Sequence, residues 1–173
     1  GGSCILVSHL GRPSGFQKEF SMTKIINEVE NVLERNVVLS KDVIGPDAKK
    51  KSLDLKPNQV LLLENVRFHD EEKKGDIDFA KELSLLADCY INDAFGTAHR
   101  PHASTTTIST FFNDKFFGKC LEREVNSIKK VLSSGEKPIL AILGGAKISS
   151  KIPILKNIIK IADHIIIGGG LSF

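Results

Sequence analysis

A buried strand is indicated most clearly by Gln59-Val60-Leu61-Leu62-Leu63-Glu64-Asn65, an apolar run of strand length that ends in polar residues. The turn residues Pro57-Asn58 precede it, so we predict a β-strand over Gln59–Glu64. On either side of this strand, short apolar runs alternate with segments whose apolar residues recur at helical spacing. The alternation predicts a Rossmann-like α/β fold, in which a mostly parallel sheet is covered by helices on both faces in three layers. The other predicted strands are Cys4–Ser8, Val37–Leu39 and Cys89–Asn92, and the predicted helices follow the candidate N-cap Ser21 and span Ile77–Leu86.

A second part of the chain is predicted to begin with an amphipathic helix at Lys119. New strands then start at Ile139–Leu143 and His164–Ile167, and the chain stops directly after Gly168-Gly169-Gly170. The apolar face of the helix is formed by Leu121, Val125, Ile128 and Leu132. We therefore predict a first domain over residues 1–118, a linking helix over 119–134 and the start of a second, truncated domain over 135–173.

Composition excludes several classes of protein. Hydrophobic residues make up 41% and charged residues 26% of the 173 residues, which is the balance of a soluble globular protein. A net charge of +3 argues against a nucleic-acid partner bound by bulk electrostatics. No apolar run approaches the roughly 20 residues of a membrane helix, and no secretory leader opens the chain. Cys4, Cys89 and Cys120 are odd in number and lack CxxC spacing, so we expect a reducing compartment, the cytoplasm.

Arginine and histidine gather at the ends of three predicted strands, where ligands bind in open parallel sheets. Five of the basic residues are arginines, against nineteen lysines, yet three of the five are Arg12, Arg67 and Arg100. Because arginine binds carboxylate or phosphate through two parallel hydrogen bonds, the pattern predicts a pocket for a small, doubly anionic ligand. The segments are Ser8-His9-Leu10-Gly11-Arg12, Glu64-Asn65-Val66-Arg67-Phe68-His69 and Asn92-Asp93-Ala94-Phe95-Gly96-Thr97-Ala98-His99-Arg100.

Other interpretations of these residues stay open on the sequence alone. An arginine after a strand is commonly a solvated or salt-bridged surface residue, and Glu64 or Asp93 could be its partner. His69 and His102 are better explained as structural or supporting residues. A metal site is the weaker interpretation of the histidines, because carboxylates or thiols at ligand spacing are not evident.

A second anion site is predicted at Gly144-Gly145-Ala146-Lys147, between a buried strand and a helix beginning near Ser149. Glycines let backbone N–H groups approach a phosphate, and a helix N-terminus favours negative charge. Lys147 and Lys151 can reach the same side of that terminus, and Gly168-Gly169-Gly170 leaves room for a base or sugar. The alternative is a pair of tight turns with solvated lysines. Two anion sites on two lobes suit transfer of a phosphoryl group between two ligands.

Five motifs in this order resemble those of the phosphoglycerate kinase family, and the match runs from about Cys4 to Phe173. The motifs are Ser8-His9-Leu10-Gly11-Arg12-Pro13, Leu62-Leu63-Glu64-Asn65-Val66-Arg67-Phe68, Asn92-Asp93-Ala94-Phe95-Gly96-Thr97-Ala98-His99-Arg100, Leu143-Gly144-Gly145-Ala146-Lys147 and Ile167-Gly168-Gly169-Gly170.

The resemblance implies reversible phosphoryl transfer between 1,3-bisphosphoglycerate and ADP, giving 3-phosphoglycerate and ATP in glycolysis, with Mg²⁺ accompanying the nucleotide. Lys147 and Arg12 are the implied catalytic residues. A monomer is expected, without a nucleic-acid or membrane partner. The implied substrate-binding residues are His9, Leu10, Gly11, Arg12, Arg67 and Arg100. The implied nucleotide-binding residues are Gly145, Ala146, Lys147, Lys151, Gly168, Gly169 and Gly170.

The chain also departs from the family pattern. Nothing before Cys4 supplies the family's first strand with its phosphoglycerate-binding Asp, Asn and Arg, and the rest of the nucleotide domain does not follow Phe173. The 173 residues alone are therefore predicted to be inactive or nearly so. Two alternatives are a non-catalytic α/β module that binds phosphoglycerate or another anion, and a doubly wound domain for an unrelated phosphorylated ligand.

Overall fold

A computed structural model describes residues 1–134, 136–145 and 152–172 of the chain. The chain divides into two compact units, Gly1–Leu121 and Glu122–Phe173. The domain boundaries predicted at residues 118 and 134 stay predictions. No helix among the described residues is long and apolar enough to span a membrane.

The described residues form short strands that alternate with helices. The strands are β1 (Cys4–Leu6), β2 (Val37–Leu39), β3 (Val60–Leu62), β4 (Tyr90–Asn92), β5 (Lys115–Phe117), β6 (Leu140–Gly144) and β7 (His164–Gly168). The α-helices are α1 (Ile26–Leu33), α2 (Pro46–Asp54), α3 (Asp70–Lys74), α4 (Ile77–Ser84), α5 (Lys119–Ser134) and α6 (Ile152–Ile158). The 3₁₀ turns are Lys18–Phe20, Met22–Lys24, Val66–Phe68, Phe95–Thr97, Thr107–Phe111 and Gly169–Ser172.

All strand pairs described in the structure are parallel. In the first unit, β3 lies between β1 and β2, with Leu61 opposite Ile5 on one side and Val38 on the other. The strands β4 and β5 form a second parallel pair. In the second unit, β6 pairs with β7, and Leu143 lies opposite Ile167. The predicted parallel α/β class is confirmed.

The central strand β3 is buried on both faces. Side chains alternate across a strand, so Leu61 belongs to one apolar cluster and Val60 and Leu62 belong to another. The Leu61 cluster includes Phe79 and Leu83 from α4. The other cluster includes Met22 and is covered by Ile26, Val29 and Leu33 of α1. Full burial of each large apolar side chain stabilises the fold by about 1.5–3 kcal/mol, so the side chains of β3 contribute strongly to the stability of the first unit.

The helix predicted after Ser21 has a narrower apolar face than its sequence suggests. Ser21 caps a 3₁₀ turn, where its hydroxyl accepts a hydrogen bond from the backbone N–H of Thr23, and the α-helix starts only at Ile26. The helical spacing of Ile25, Val29, Val32 and Leu33 predicts one apolar face, yet Val32 is 80% exposed. It lies at the edge of the stripe that Val29 and Leu33 occupy.

Three elements were not predicted, and each lacks an apolar pattern. The helix α2 is mostly polar and has Pro46 at its first position. The backbone N–H groups of the next two residues, Asp47 and Ala48, donate hydrogen bonds to the carboxylate of Asp42. The helix α3 has only five residues. The strand β5 is exposed along its length and is formed through its pairing with β4.

Candidate functional site

The candidate site is assembled around Arg67, at the carboxyl end of β3. Asn65 begins the 3₁₀ turn that carries Arg67, and its side-chain oxygen accepts a hydrogen bond of 3.0 Å from the backbone N–H of Arg67. The backbone N–H of Val66 donates to the carbonyl of Ser8, just beyond β1. The strand end and the first loop are thus joined at the point where open parallel sheets bind ligands.

The loop after β1 carries His9 and Arg12 and is fixed to the same strand end. The guanidinium Nη1 of Arg67 donates a hydrogen bond of 2.8 Å to the carbonyl of Gly11. Gly11 has φ +63, and a Cβ there would collide with the ring of Phe20. Only glycine suits this turn, because both the backbone angle and the aromatic neighbour exclude a side chain.

Glu64 holds the other end of this loop and does not pair with an arginine. Its two carboxylate oxygens accept hydrogen bonds from the hydroxyl of Ser21 at 2.6 Å and from the backbone N–H of Met22 at 2.7 Å. It also accepts from the backbone N–H of Asn65 at 2.6 Å. This buried carboxylate therefore has a structural role.

The loop after β4 carries His99 and Arg100 and is fixed through its backbone. The carbonyl of Arg100 accepts hydrogen bonds of 3.0 Å from the hydroxyls of Thr105 and Thr106. The Tyr90 hydroxyl donates to the carbonyl of Ser104 at 2.9 Å, and burial raises the pKa of Tyr90 to about 12, so this donor stays protonated.

Glu72 connects that loop to α3, the helix that follows Arg67. Its carboxylate accepts hydrogen bonds from the backbone N–H of Ser104 at 2.9 Å and from the Ser104 hydroxyl at 2.7 Å. The Nδ1 atom of His102 lies 3.7 Å from the same carboxylate. His102, interpreted from sequence as a supporting residue, therefore lies beside a buried negative charge.

Arg12 and Arg100 both lie within electrostatic range of Arg67. The pKa of Arg67 is lowered by burial and then by the positive charges of Arg100 and Arg12, while the carboxylate of Glu72 opposes the shift. Among the described residues no carboxylate forms an ion pair with these three arginines. The salt-bridge alternative raised by the sequence is therefore not what the structure shows for Glu64, nor for Asp93, whose side chain accepts from the backbone N–H of Leu121.

Two histidines share the same positive field. Burial lowers the pKa of His9, and the charges of Arg67 and His102 lower it further. Burial also lowers the pKa of His102, and Arg67, Arg100 and His99 act in the same direction, whereas Glu72 raises it. Mutual repulsion of this kind is relieved when an anion binds, so the cluster is suited to an anionic ligand.

His69 packs against an aromatic side chain of the core. Its ring is 5.0 Å from the ring of Phe79, measured between centroids, so it packs on the core as the sequence interpretation expected.

The described residues hold no group of three or more histidine, cysteine or acidic side chains that could bind a metal ion. Cys4, Cys89 and Cys120 are all free and exposed.

In the second unit, glycines lie at the paired ends of β6 and β7. Gly144 pairs with Gly168, and the adjacent Gly169 has φ +65. A Cβ on Gly169 would lie 3.4 Å from the backbone nitrogen of Gly145, which is an ordinary contact, so the positive φ is what favours glycine at this position. Gly170 continues it in the 3₁₀ turn Gly169–Ser172. The other predicted members, Ala146, Lys147 and Lys151, lie outside the described residues.

Sequence reasoning missed the two buried side chains that hold the loops, Asn65 and Glu72. Asn65 was read only as part of a motif, although an asparagine after a strand and before an arginine is a possible cap. Glu72 carries no comparable signal, because Glu71 beside it has the same chemistry and is exposed.

Comparison with known proteins agrees with this geometry. The family model described as phosphoglycerate kinase matches residues 1–173. A phosphoglycerate kinase of Anaeromyxobacter sp. (strain Fw109-5) is 47% identical over 172 residues, which are 98% of this chain and 43% of that protein. One from Chlorobium chlorochromatii (strain CaD3) is 47% identical over 174 residues, with 100% of this chain and 44% of that protein covered.

Solved structures show the same similarity. The phosphoglycerate kinase of Coxiella burnetii aligns with a TM-score of 0.80 and 36% identity, over 96% of this chain and 42% of that one. The enzyme from Pyrococcus horikoshii OT3 aligns with a TM-score of 0.83 and 26% identity, over 97% and 43% of the two chains. The chain thus spans less than half the length of the relatives that it matches.

Proposed function

The chain belongs to the phosphoglycerate kinase family, and on that premise we propose that the whole protein transfers a phosphoryl group reversibly between 1,3-bisphosphoglycerate and ADP. The products are 3-phosphoglycerate and ATP, and the pathway is glycolysis. The observation that carries the proposal is the cluster of Arg12, Arg67 and Arg100 with His9 and His102 at the ends of parallel strands. None of these arginines has its charge neutralised by an ion pair within the described part of the chain.

The phosphoglycerate site is proposed to use this cluster. The ligand carries a carboxylate and a phosphate, and guanidinium groups bind both with paired hydrogen bonds, each contributing about 1.5–3 kcal/mol. The carbonyls of Leu10 and Gly11 already accept hydrogen bonds from Asn65 and Arg67. What Leu10 and Gly11 would offer a ligand is therefore their backbone N–H groups.

The nucleotide site is proposed for the glycine turns of the second unit, with Gly145, Ala146, Lys147 and Lys151 at the phosphates. The turn at Gly169, which has a positive φ and lies beside Gly145, supports this part, since backbone without side chains lets a phosphate or base approach closely. Gly168 and Gly170 complete that turn. Lys147 and Arg12 are proposed to stabilise the negative charge of the transferring group, because positioned cations are the main catalytic device in phosphoryl transfer.

Magnesium is proposed to arrive with ATP or ADP. Mg²⁺ is commonly held by substrate phosphates together with one or two carboxylates, so it does not need a cage built wholly from protein. When bound, it would neutralise phosphate charge.

The remaining assignments are also proposals. We assign residues 1–118 to the phosphoglycerate-binding domain, 119–134 to the linking helix and 135–173 to the nucleotide-binding domain. The three free cysteines support a reducing compartment, and we propose the cytoplasm. We propose a monomer without nucleic-acid or membrane partners.

The 173 residues alone are proposed to bind phosphoglycerate without turning it over. The anion cluster lies entirely within the unit Gly1–Leu121, so we expect binding without the second unit. The chain covers only 43% of its relatives, and loss of positioned groups removes several kcal/mol of catalysis.

Calorimetry and a coupled assay test these proposals together. Titration of the chain with 3-phosphoglycerate should show binding that Arg67→Ala and Arg100→Ala each weaken strongly, whereas Arg35→Ala, an exposed arginine elsewhere on the unit, should not. Unchanged affinity in the first two variants would mean that the pocket is assigned wrongly. The full-length protein should show ATP-dependent turnover, and the chain alone should not.

A further inference from the structure

The segment 64–75, here called the frame, forms hydrogen bonds with the loops that carry Arg12 and Arg100. Arg67 belongs to this segment, whereas Arg12 and Arg100 belong to loops on either side of it. Buried polar side chains of the frame attach both loops: Glu64 and Asn65 hold the loop after β1, and Glu72 holds the loop after β4. Neither Asn65 nor Glu72 faces solvent, so each can influence the anion site only through the groups to which it is hydrogen-bonded.

Asn65 is 0% exposed and uses both functions of its amide. Its Nδ2 donates to the carbonyls of Leu10 at 2.8 Å and Phe20 at 2.9 Å, which are the two ends of the loop that carries Arg12. Its Oδ1 accepts from the backbone N–H of Arg67. One side chain therefore sets the position of the Arg12 loop relative to the Arg67 turn.

Glu72 is 2% exposed and holds the other loop. Besides the two hydrogen bonds from Ser104, its backbone carbonyl accepts from the N–H of Ala103 at 2.9 Å. At the end of α3, a Cβ on Gly75 would collide with the carbonyl of Pro101, so the loop lies directly against this helix.

The attachment at Glu72 reaches Arg100 through neighbouring backbone. Ser104 is followed by Thr105 and Thr106, whose hydroxyls donate to the carbonyl of Arg100. A loop that is released at Ser104 would free these two residues and, with them, the Arg100 main chain.

From these contacts we infer that Asn65 and Glu72 are positioning residues of the anion site, each serving one flanking loop. Asn65 sets the distance between Arg12 and Arg67, and Glu72 sets the distance between Arg100 and Arg67. The inference rests on the proposed ligand only for its binding readout. A bidentate contact tolerates little displacement, so release of either loop weakens binding without removing any group that touches the ligand.

Double-mutant cycles measured by calorimetry with 3-phosphoglycerate test the inference. We expect Glu72→Ala to weaken binding about tenfold in the otherwise unchanged chain, which corresponds to about 1.4 kcal/mol. In the Arg100→Ala background the same change should cost about twofold or less, and in the Arg12→Ala background it should keep its full effect. Asn65→Ala should show the opposite dependence, losing its effect in the Arg12→Ala background only.

Two further variants separate positioning from general damage. In Glu72→Gln the amide can accept from the Ser104 N–H and donate to its hydroxyl, so we expect it to retain most of the affinity. Glu71→Gln makes the same charge change at the exposed neighbour and should have no effect. Equal losses in all arginine backgrounds would overturn the inference, because that pattern indicates a loosened unit.

Amide hydrogen exchange supplies a readout that needs no ligand. Glu72→Ala should speed exchange at Ala103 and Ser104 but not at Arg67, and Asn65→Ala should do the reverse. If the chain does not bind 3-phosphoglycerate, the proposed function fails while exchange still decides the inference. Unchanged exchange at these amides, or exchange raised equally in both loops by either variant, would overturn it.

Discussion

Arg67 and Gly11 are 56 residues apart in sequence, and the guanidinium of one donates a 2.8 Å hydrogen bond to the carbonyl of the other. One nitrogen of the Arg67 guanidinium is therefore used in a hydrogen bond within the protein, to the loop that carries Arg12. Burial, and then the positive charges of Arg100 and Arg12, lower the pKa of Arg67. The same side chain thus builds the pocket and belongs to the set that would bind an anion.

This double use predicts that lysine cannot replace Arg67. A lysine keeps the positive charge but has a single nitrogen, which cannot hold the Gly11 carbonyl and grip a ligand in a flat, two-pronged contact. We expect Arg67→Lys to weaken 3-phosphoglycerate binding at least tenfold by calorimetry. Arg35→Lys is the control, because Arg35 is exposed and lies outside the cluster. An affinity within twofold of the original in Arg67→Lys would show that charge alone suffices.

Gly11 and Gly15 separate two costs of placing a side chain in the first loop. Both have positive φ, +63 and +78, but a Cβ at Gly11 would meet the Phe20 ring, whereas nothing lies within 4 Å of one at Gly15. We expect Gly15→Ala to lower the free energy of unfolding by about 1–2 kcal/mol through backbone strain alone. Gly11→Ala should lower it by more and also weaken ligand binding. Urea unfolding monitored by circular dichroism measures the difference, and equal losses would show that Phe20 moves aside freely.

The two histidines predict how stability depends on pH. The folded-state pKa values of His9 and His102 lie below the ordinary value of 6.5, so the unfolded chain binds more protons near that pH. Stability is then fully present above pH 6.5 and is lost as the pH falls through that value. The free energy of unfolding should therefore decrease between pH 7.5 and 5.5, and saturating 3-phosphoglycerate should reduce this slope.

Variants assign that slope to these side chains. The double variant His9→Gln/His102→Gln should flatten it. Glu72→Gln should lower the pKa of His102 further, because the carboxylate is what raises it. A slope that persists in the double variant would mean that other groups control it.

The elements that could be predicted from the sequence are those that the residues of a single short segment determine. The strand over Val60–Leu62 was predictable because a continuous apolar run can only be buried on both faces, and the basic strand ends followed from parallel topology. β5 was not, because Lys115-Phe116-Phe117 is short and becomes a strand only by pairing with β4. Glu72 was not, because nothing local separates it from Glu71. Glu72 differs from Glu71 because it is buried, and its burial depends on the tertiary fold.

Alanine substitutions at two neighbouring glycines, Gly168 and Gly169, test the backbone conformation of the proposed nucleotide turn. Gly169 has φ +65, and a Cβ there would lie 3.4 Å from the backbone nitrogen of Gly145, whereas Gly168 has nothing within 4 Å. We expect Gly169→Ala to destabilise the protein by about 1–2 kcal/mol, because alanine is strained in the left-handed region. Gly168→Ala lies in a strand and should be neutral or slightly stabilising. Thermal unfolding of both variants measures the contrast, with equal midpoints as the contradicting result, since they would mean that the turn adopts another conformation in solution.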